Sequence, residues 1–409
     1  MKLNFSKMIN KFAVTLFFFL AITKSYAGGC RLTDVTMSKV LASKYMGGLI
    51  REKITEVETA MKQKGQTLDA VFVARKGESL RGLTRIKDNP KIKLQQYLDN
   101  LSEKAIRYGE ELSRDPENAD PNNIGRPTIP DELRIKEKLE YSHIGIYVRR
   151  KPTIPDAKDW NFVIHLLAEC DENINRYGDS EIFFDALDRF FWDTKILGKK
   201  TSNKALIVVP THEVQDRLNR LVNDIPIFDV GGLHEPTYNV VATPFTLRDP
   251  KYKKRQAPDF HQLKDQNSNQ WPLEMLAAAM RPYREIVNRQ QAQDFLMLTN
   301  YRPSIVTPVG FKESIACSLK RGKIFGRKLW DASNLINCDD QVFKRERIYQ
   351  LITVHSLIEY MKQTNTIARD INDSNKLAIY EVEASKQKLD ELDEAGKILG
   401  SVLEKKSTP

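Results

Sequence analysis

Apolar residues at Leu41, Ile50, Ile54, Val57 and Met61 fall near one face of a helical period, which predicts a helix from Val35 to Lys64. Asp69-Ala-Val-Phe-Val-Ala-Arg75 then reads as a short buried strand. From Leu83 to Glu140 the pattern dissolves into Lys, Glu, Asn and Asp with prolines at 90, 116, 121, 127 and 130. Within it Leu94, Leu98, Leu101 and Ile106 suit one amphipathic helix, and Arg114 to Pro130 suits an exposed loop. The stretch reads as an insertion, residues 84–139, decorating the surface.

The pattern then becomes β-like. Ser142 to Val148 and Trp160 to Ala168 are runs of β-branched and aromatic residues parted by a proline-rich turn. Ile182 to Trp192 predicts an aromatic-rich helix, and Ala205 to Val209 a strand. Thr211 is placed to cap a helix carrying Val214, Leu218, Leu221 and Val222 on one face. Tyr238 to Phe245 predicts another strand and Leu273 to Met280 a short helix. In the tail, Ala378, Val382, Leu389, Leu392, Leu399 and Leu403 keep heptad spacing, with Ser385 and Gly396 at weak seam positions. Such a helix either docks on its own domain or self-associates. The tally is α+β, with helices and strands partly segregated.

Composition narrows the classes. The chain has 409 residues, 41% hydrophobic and 29% charged, which excludes general disorder and a multi-span membrane protein. A span is also excluded by the lack of any apolar run of about 18 residues. Lys2, Lys7 and Lys11, the apolar stretch Phe12 to Ile22 and Ser25-Tyr-Ala27 form a signal peptide over residues 1–27. This predicts export to the periplasm or beyond. The formal charge of +10 includes four leader lysines, leaving +6, with both signs interspersed. That is no nucleic-acid signature.

Cys30, Cys170, Cys317 and Cys338 match no zinc spacing. In an oxidising compartment they read as two disulfides, Cys30 with Cys170 and Cys317 with Cys338, against the alternative of four buried thiols. No metal or cofactor is expected.

Three segments carry candidate chemistry. His143 opens one apolar strand and His165 lies within the next. Ser268 lies near a helix start, since Pro272 is tolerated only in the first turn, and the helix dipole there favours a developing anion. A hydroxyl becomes a nucleophile when an imidazole takes its proton, and that imidazole needs a third group to fix its tautomer. Two strand histidines and a loop serine are more often structural than catalytic. Asn267 and Gln270 could donate to an oxyanion or cap the helix, Tyr238 is a weaker neighbour, and Trp271 reads as a core anchor.

Tyr141-Ser-His-Ile-Gly-Ile146, Cys170-Asp-Glu172, and Asn267-Ser-Asn-Gln-Trp271 followed by Leu-Glu-Met-Leu-Ala-Ala-Ala resemble the uncharacterised bacterial family "domain of unknown function 2145". Val71-Phe-Val-Ala-Arg75, Ala292-Gln293 and Tyr301-Arg-Pro303 add to the resemblance, which runs from Cys30 to about Lys362 without the insertion. The Ser-His-Ile-Gly-Ile element is in turn similar to the histidine strand of NlpC-type cell-wall cysteine peptidases. The resemblance implies a circularly permuted papain-like core over residues 28–370, with the helical insertion at 84–139 and a helical tail over 371–409. It implies Ser268 as nucleophile, His143 as base and His165 as orienting group. The substrate would be a cell-envelope peptide or acyl compound, and the reaction hydrolysis or acyl transfer at an amide or ester bond. The family commonly has cysteine where this chain has Ser268. A hydroxyl is far less acidic than a thiol. The alternative implied is a catalytically inactive envelope binding protein that keeps the cleft.

Overall fold

A computed structural model describes residues 35–76, 83–87, 135–150, 160–168, 180–192, 203–236, 266–308, 323–324, 327–328 and 349–407. In chain order its elements begin with α1 (Met37–Gln63), β1 (Ala70–Arg75), β2 (Leu83–Lys87), β3 (Ile135–Lys138), β4 (His143–Arg150), β5 (Trp160–Ala168) and β6 (Ser180–Asp185). Then come α2 (Leu187–Phe190), β7 (Lys204–Val208), α3 (His212–Leu221), α4 (Ile225–Phe228), α5 (Gln270–Ala279) and α6 (Arg289–Leu298). The last are β8 (Ser304–Pro308), β9 (Lys323–Ile324), β10 (Arg327–Lys328), β11 (Tyr349–Leu351), α7 (Val354–Gln363), β12 (Ile379–Glu383) and α8 (Lys386–Ser407). The fold is α+β, with eight helices among the described residues.

A six-stranded sheet in the order β12-β7-β1-β4-β5-β6 is antiparallel at every pairing. Its central strands are buried on both faces, which is why β1 and β4 read as nearly continuous apolar runs. Alternation splits their side chains between two cores. Phe72, Ala74, Ile144, Ile146, Ile164, Leu206 and Val208 pack with α3, α5, α6 and α7 on one face. Val71, Val73, Tyr147, Val163, Ala205 and Ile207 pack with α1, α2 and α8 on the other. A smaller sheet, β11-β8-β2-β3, lies at the base of the insertion.

Most boundaries follow the pattern of the sequence. Thr36 caps α1 by accepting from the Lys39 N–H, and Ala42, Met46, Ile50, Ile54, Val57 and Met61 form its buried stripe. Thr211 holds the N-cap position of α3, although its side chain makes no capping bond. Helix α5 begins at Gln270, before the expected Leu273, so Pro272 sits in its first turn, where the missing N–H costs nothing.

Three expectations change. The segment from Ile182 to Trp192 is not one helix. Ser180–Asp185 is the edge strand β6, paired residue by residue with β5, and only Leu187–Phe190 is helical. Its aromatic residues obscured a two-residue alternation in which Phe183 and Asp185 are buried and Phe184 between them is exposed. The insertion is not helical at its ends. It leaves through β2 and returns through β3, which pair with each other, and β2 also pairs with β8. The leucine helix expected between them lies outside the described residues.

The tail, too, is only partly helical. Val382 belongs to β12, which pairs with β7, and Ala378 precedes it. The heptad spacing therefore spans a strand and a helix. Helix α8 docks on α1 of its own domain. Ser38 Oγ donates to the Asp393 carbonyl at 2.9 Å, and a Cβ at Gly396 would lie 2.2 Å from Ser38 Cα, so glycine permits the crossing. The leader, the four cysteines and Tyr238 lie outside the described residues.

Candidate functional site

The antiparallel register of β1, β4, β5 and β6 gathers four polar side chains in the layer beneath α2. Arg75 is the cross-strand partner of His143, and Val163, two residues before His165, is the partner of Asp185. His143 and His165 share a sheet face because both alternate with residues of the opposite core, Ile144 in β4 and Ile164 and Leu166 in β5. Gly145 lets the strands close. A Cβ there would meet Val163 Cγ1 at 2.4 Å and His165 Cβ at 3.1 Å.

These side chains form a line. His143 Nε2 lies 2.9 Å from His165 Nδ1, with the rings edge to face. His165 Nε2 lies 3.1 Å from Asp185 Oδ2, and Asp185 Oδ1 pairs with Arg189 Nε at 3.1 Å. Phe190 of α2 packs against both imidazoles, at 5.6 and 5.0 Å between ring centroids. The Arg75 guanidinium lies over the same ring at 4.8 Å. His143 is 4% exposed and His165 fully buried. Burial first, then the neighbouring Arg75 charge and His165, holds the His143 imidazole well below its ordinary range. It is neutral at neutral pH.

Ser268 reaches the same strand end from the other core. It stands just before Asn269, the N-cap of α5, whose apolar residues pack with the opposite face of the sheet. Asn269 Nδ2 donates to the Ser142 carbonyl at 3.1 Å and to the Ile352 carbonyl at 3.3 Å. This staples the helix start to the residue before His143. Ser268 is 7% exposed, and the described contacts join His143 to His165 rather than to Ser268. The structure thus unites the two histidines directly and brings the serine to the neighbouring turn.

The flanking polar residues have defined work. Asn267 Oδ1 accepts from the N–H groups of Asn269 at 2.9 Å and Gln270 at 2.8 Å, a helix cap. Gln270 turns inward and donates to Glu274 Oε1 at 3.0 Å. Trp271 is fully buried, as expected of an anchor.

Two features escaped the sequence reading. Asp185 was hidden inside an expected helix, and only the alternation of β6 would have placed it beside His165. Glu274, fully buried, accepts from Gln266 at 2.6 Å, from Gln270, from Arg289 Nε at 3.0 Å and Nη2 at 3.3 Å, and from Gln293. Burial pushes its carboxyl above the ordinary range while Arg289 and the amides pull it down. Gln266 also donates to the Leu233 carbonyl and accepts from the Glu235 N–H, so this cluster fixes the loop leading to Ser268.

His234 also gains partners, with Nε2 3.2 Å from Ser180 Oγ and Nδ1 3.3 Å from Asp229. The Ser180 hydroxyl donates to the Glu235 carbonyl at 2.7 Å, which makes this group an anchor for the start of β6. Among the described residues, no group of three or more His, Cys, Asp or Glu side chains is arranged to hold a metal ion, and no helix is long and apolar enough to cross a membrane.

Residues 130–361, more than half of the chain, match the model of a family described as an uncharacterized protein conserved in bacteria, DUF2145. No curated protein and no solved structure matches the chain.

Proposed function

The chain belongs to the DUF2145 family, and from that premise and the site's geometry we propose an exported, permuted papain-like hydrolase or acyltransferase. Its substrate would be an amide or ester, with periplasmic cell-envelope peptides as the substrate class. One observation carries this reading: a buried, hydrogen-bonded line of two imidazoles and a carboxylate ends on the first residue of β4, and Asn269 ties the Ser268 turn to the residue before it.

In the proposed reaction Ser268 Oγ attacks the carbonyl carbon, and its proton passes to His143. The carbon–nitrogen or carbon–oxygen bond breaks as His143 returns that proton to the leaving group. Water or an acceptor then attacks the acyl-enzyme, giving a proton to His143 and releasing Ser268 with its hydrogen restored. The dipole of α5 favours negative charge near its start, where the tetrahedral oxyanion would develop. A neutral imidazole suits this chemistry, because a serine needs a general base and not the imidazolium partner of a thiolate.

The test is acylation by an activated ester probe. Ser268→Ala abolishes labelling of the full-length mature protein, and Ser268→Cys raises it. Labelling that neither change alters removes the assignment.

A second reading is favoured by the placement of α5 on the face opposite the imidazoles, with both reacting groups nearly buried. In it the protein binds envelope peptides without turning them over. Peptidoglycan capture that survives both His143→Ala and Ser268→Ala, with no labelling in the parent protein, selects that reading.

A further inference from the structure

We infer that Asp185 is a positioning residue that sets the tautomer of His143, two hydrogen bonds away, and so decides which His143 nitrogen can accept a proton. The inference deepens the hydrolase reading of the same site. A carboxylate only accepts, so the nitrogen of His165 facing Asp185, Nε2 at 3.1 Å, carries hydrogen. In a neutral imidazole the other nitrogen is then bare, and His165 Nδ1 accepts. The group 2.9 Å from it, His143 Nε2, must donate, and His143 Nδ1 is left as the lone pair. Each bond fixes the next.

The competing arrangement makes His165 an imidazolium that donates at both ends and reverses His143. Charge balance opposes it. Arg189 Nε already pairs with the other Asp185 oxygen at 3.1 Å and offsets its charge, so an imidazolium at the fully buried His165 would give the His143–His165–Asp185–Arg189 line a net positive charge. Arg75, itself buried and lying over Phe190, adds positive charge on the same side. Phe190 packs against both rings, and both are buried. Arg189 is the one member of the line that reaches solvent to a substantial degree, with a side chain 35% exposed. The device is therefore a buried hydrogen-bonded line closed at its far end by an ion pair.

The tautomer is read by nitrogen-15 NMR of the imidazoles in the full-length mature protein at neutral pH. Wild type shows His143 with hydrogen on Nε2 and a bare Nδ1. Asp185→Asn, whose amide can donate to His165 Nε2, shifts both imidazoles away from that state and lowers activated-ester labelling roughly 10- to 10⁴-fold, the upper figure being the loss seen when a triad carboxylate becomes an amide. A wild-type His143 protonated on Nδ1 overturns the inference without any variant having to fold. So does a folded Asp185→Asn protein whose His143 signal is unchanged. If the tautomer is as stated but Ser268→Ala leaves labelling intact, the hydrolase reading falls and the tautomer assignment stands.

Discussion

Two buried polar clusters flank the start of α5, and they are built on opposite logic. Around Glu274 every neighbour donates: three glutamine amides and the Arg289 guanidinium converge on one carboxylate. Around His143 the members alternate as donor and acceptor, ending on a guanidinium at one side and an imidazole nitrogen at the other. A carboxylate saturated by permanent donors can gain nothing by moving a proton. It is a fastening, and it holds the loop on which Ser268 sits. Imidazoles can donate at one nitrogen and accept at the other, so the second cluster can hold one tautomer and leave a basic nitrogen at its end. The difference separates what builds the site from what could act in it, although both centre on buried side chains.

Removing the fastening has the largest expected effect. Glu274→Ala removes the fully buried carboxylate that pairs with the Arg289 guanidinium and accepts from three glutamine amides, and costs about 3–5 kcal/mol of stability. Urea denaturation followed by circular dichroism measures it. A loss below about 1 kcal/mol would mean the cluster is solvated, and the contrast with the histidine line would lose its physical basis.

How much of this was legible depended on period and range. Residues 37–63, 70–75, 143–150, 160–168 and 204–208 form the elements their patterns predict, because burial on a long stripe or a whole strand overrides local detail. The stretch 180–190 failed for the converse reason. Phe183, Phe184, Phe190 and Phe191 satisfy a strand and a helix equally over so short a length, and pairing with β5 decided it. Along with β6 went Asp185, whose partner is twenty residues away in sequence. In the tail, Ala378 and Val382 kept the seam spacing of Leu389 by coincidence of a strand preceding a helix. His143, His165 and the Asn267–Trp271 turn could be picked out individually, and the contact between the histidines came from sheet register. Glu274 was visible as a residue of the motif, but nothing local announced that Gln266, Arg289 and Gln293 would converge on it.

The histidine line predicts an intermediate effect with a definite sign. Burial beside Arg75 and His165 depresses the native His143, while an unfolded imidazole titrates near ~6.5. The unfolded chain therefore binds the proton first. Stability is fully present above about pH 6.5 and declines as pH falls toward the native value, by up to about 1.4 kcal/mol per pH unit for this group. His234, also depressed mainly by burial, contributes with the same sign. Denaturation series between about pH 5 and 7.5 should show a shallower decline in His143→Gln than in wild type. Equal slopes would locate His143 in a more polar setting than the Phe190 contact describes.

The smallest expected change distinguishes a general base from an ion pair. Ser268→Cys nearly preserves volume and shifts stability by less than about 1.5 kcal/mol. Its thiol reports on the neighbouring charge. An imidazolium beside it would pull the thiolate midpoint far into the acid range, as in cysteine–histidine pairs. His143 is held neutral by burial and by Arg75, so no such charge forms, and the midpoint for alkylation should stay near the ordinary value of about 8.5 or above it. The measurement is the iodoacetamide rate of the variant against pH, with His143→Gln in the same background as reference. An acid-shifted midpoint that His143→Gln abolishes would show that the imidazole accepts a proton permanently in the resting protein. The line would then be an ion-pair partner, suited to a cysteine, and serine at this position would have lost the chemistry for which the histidines are arranged.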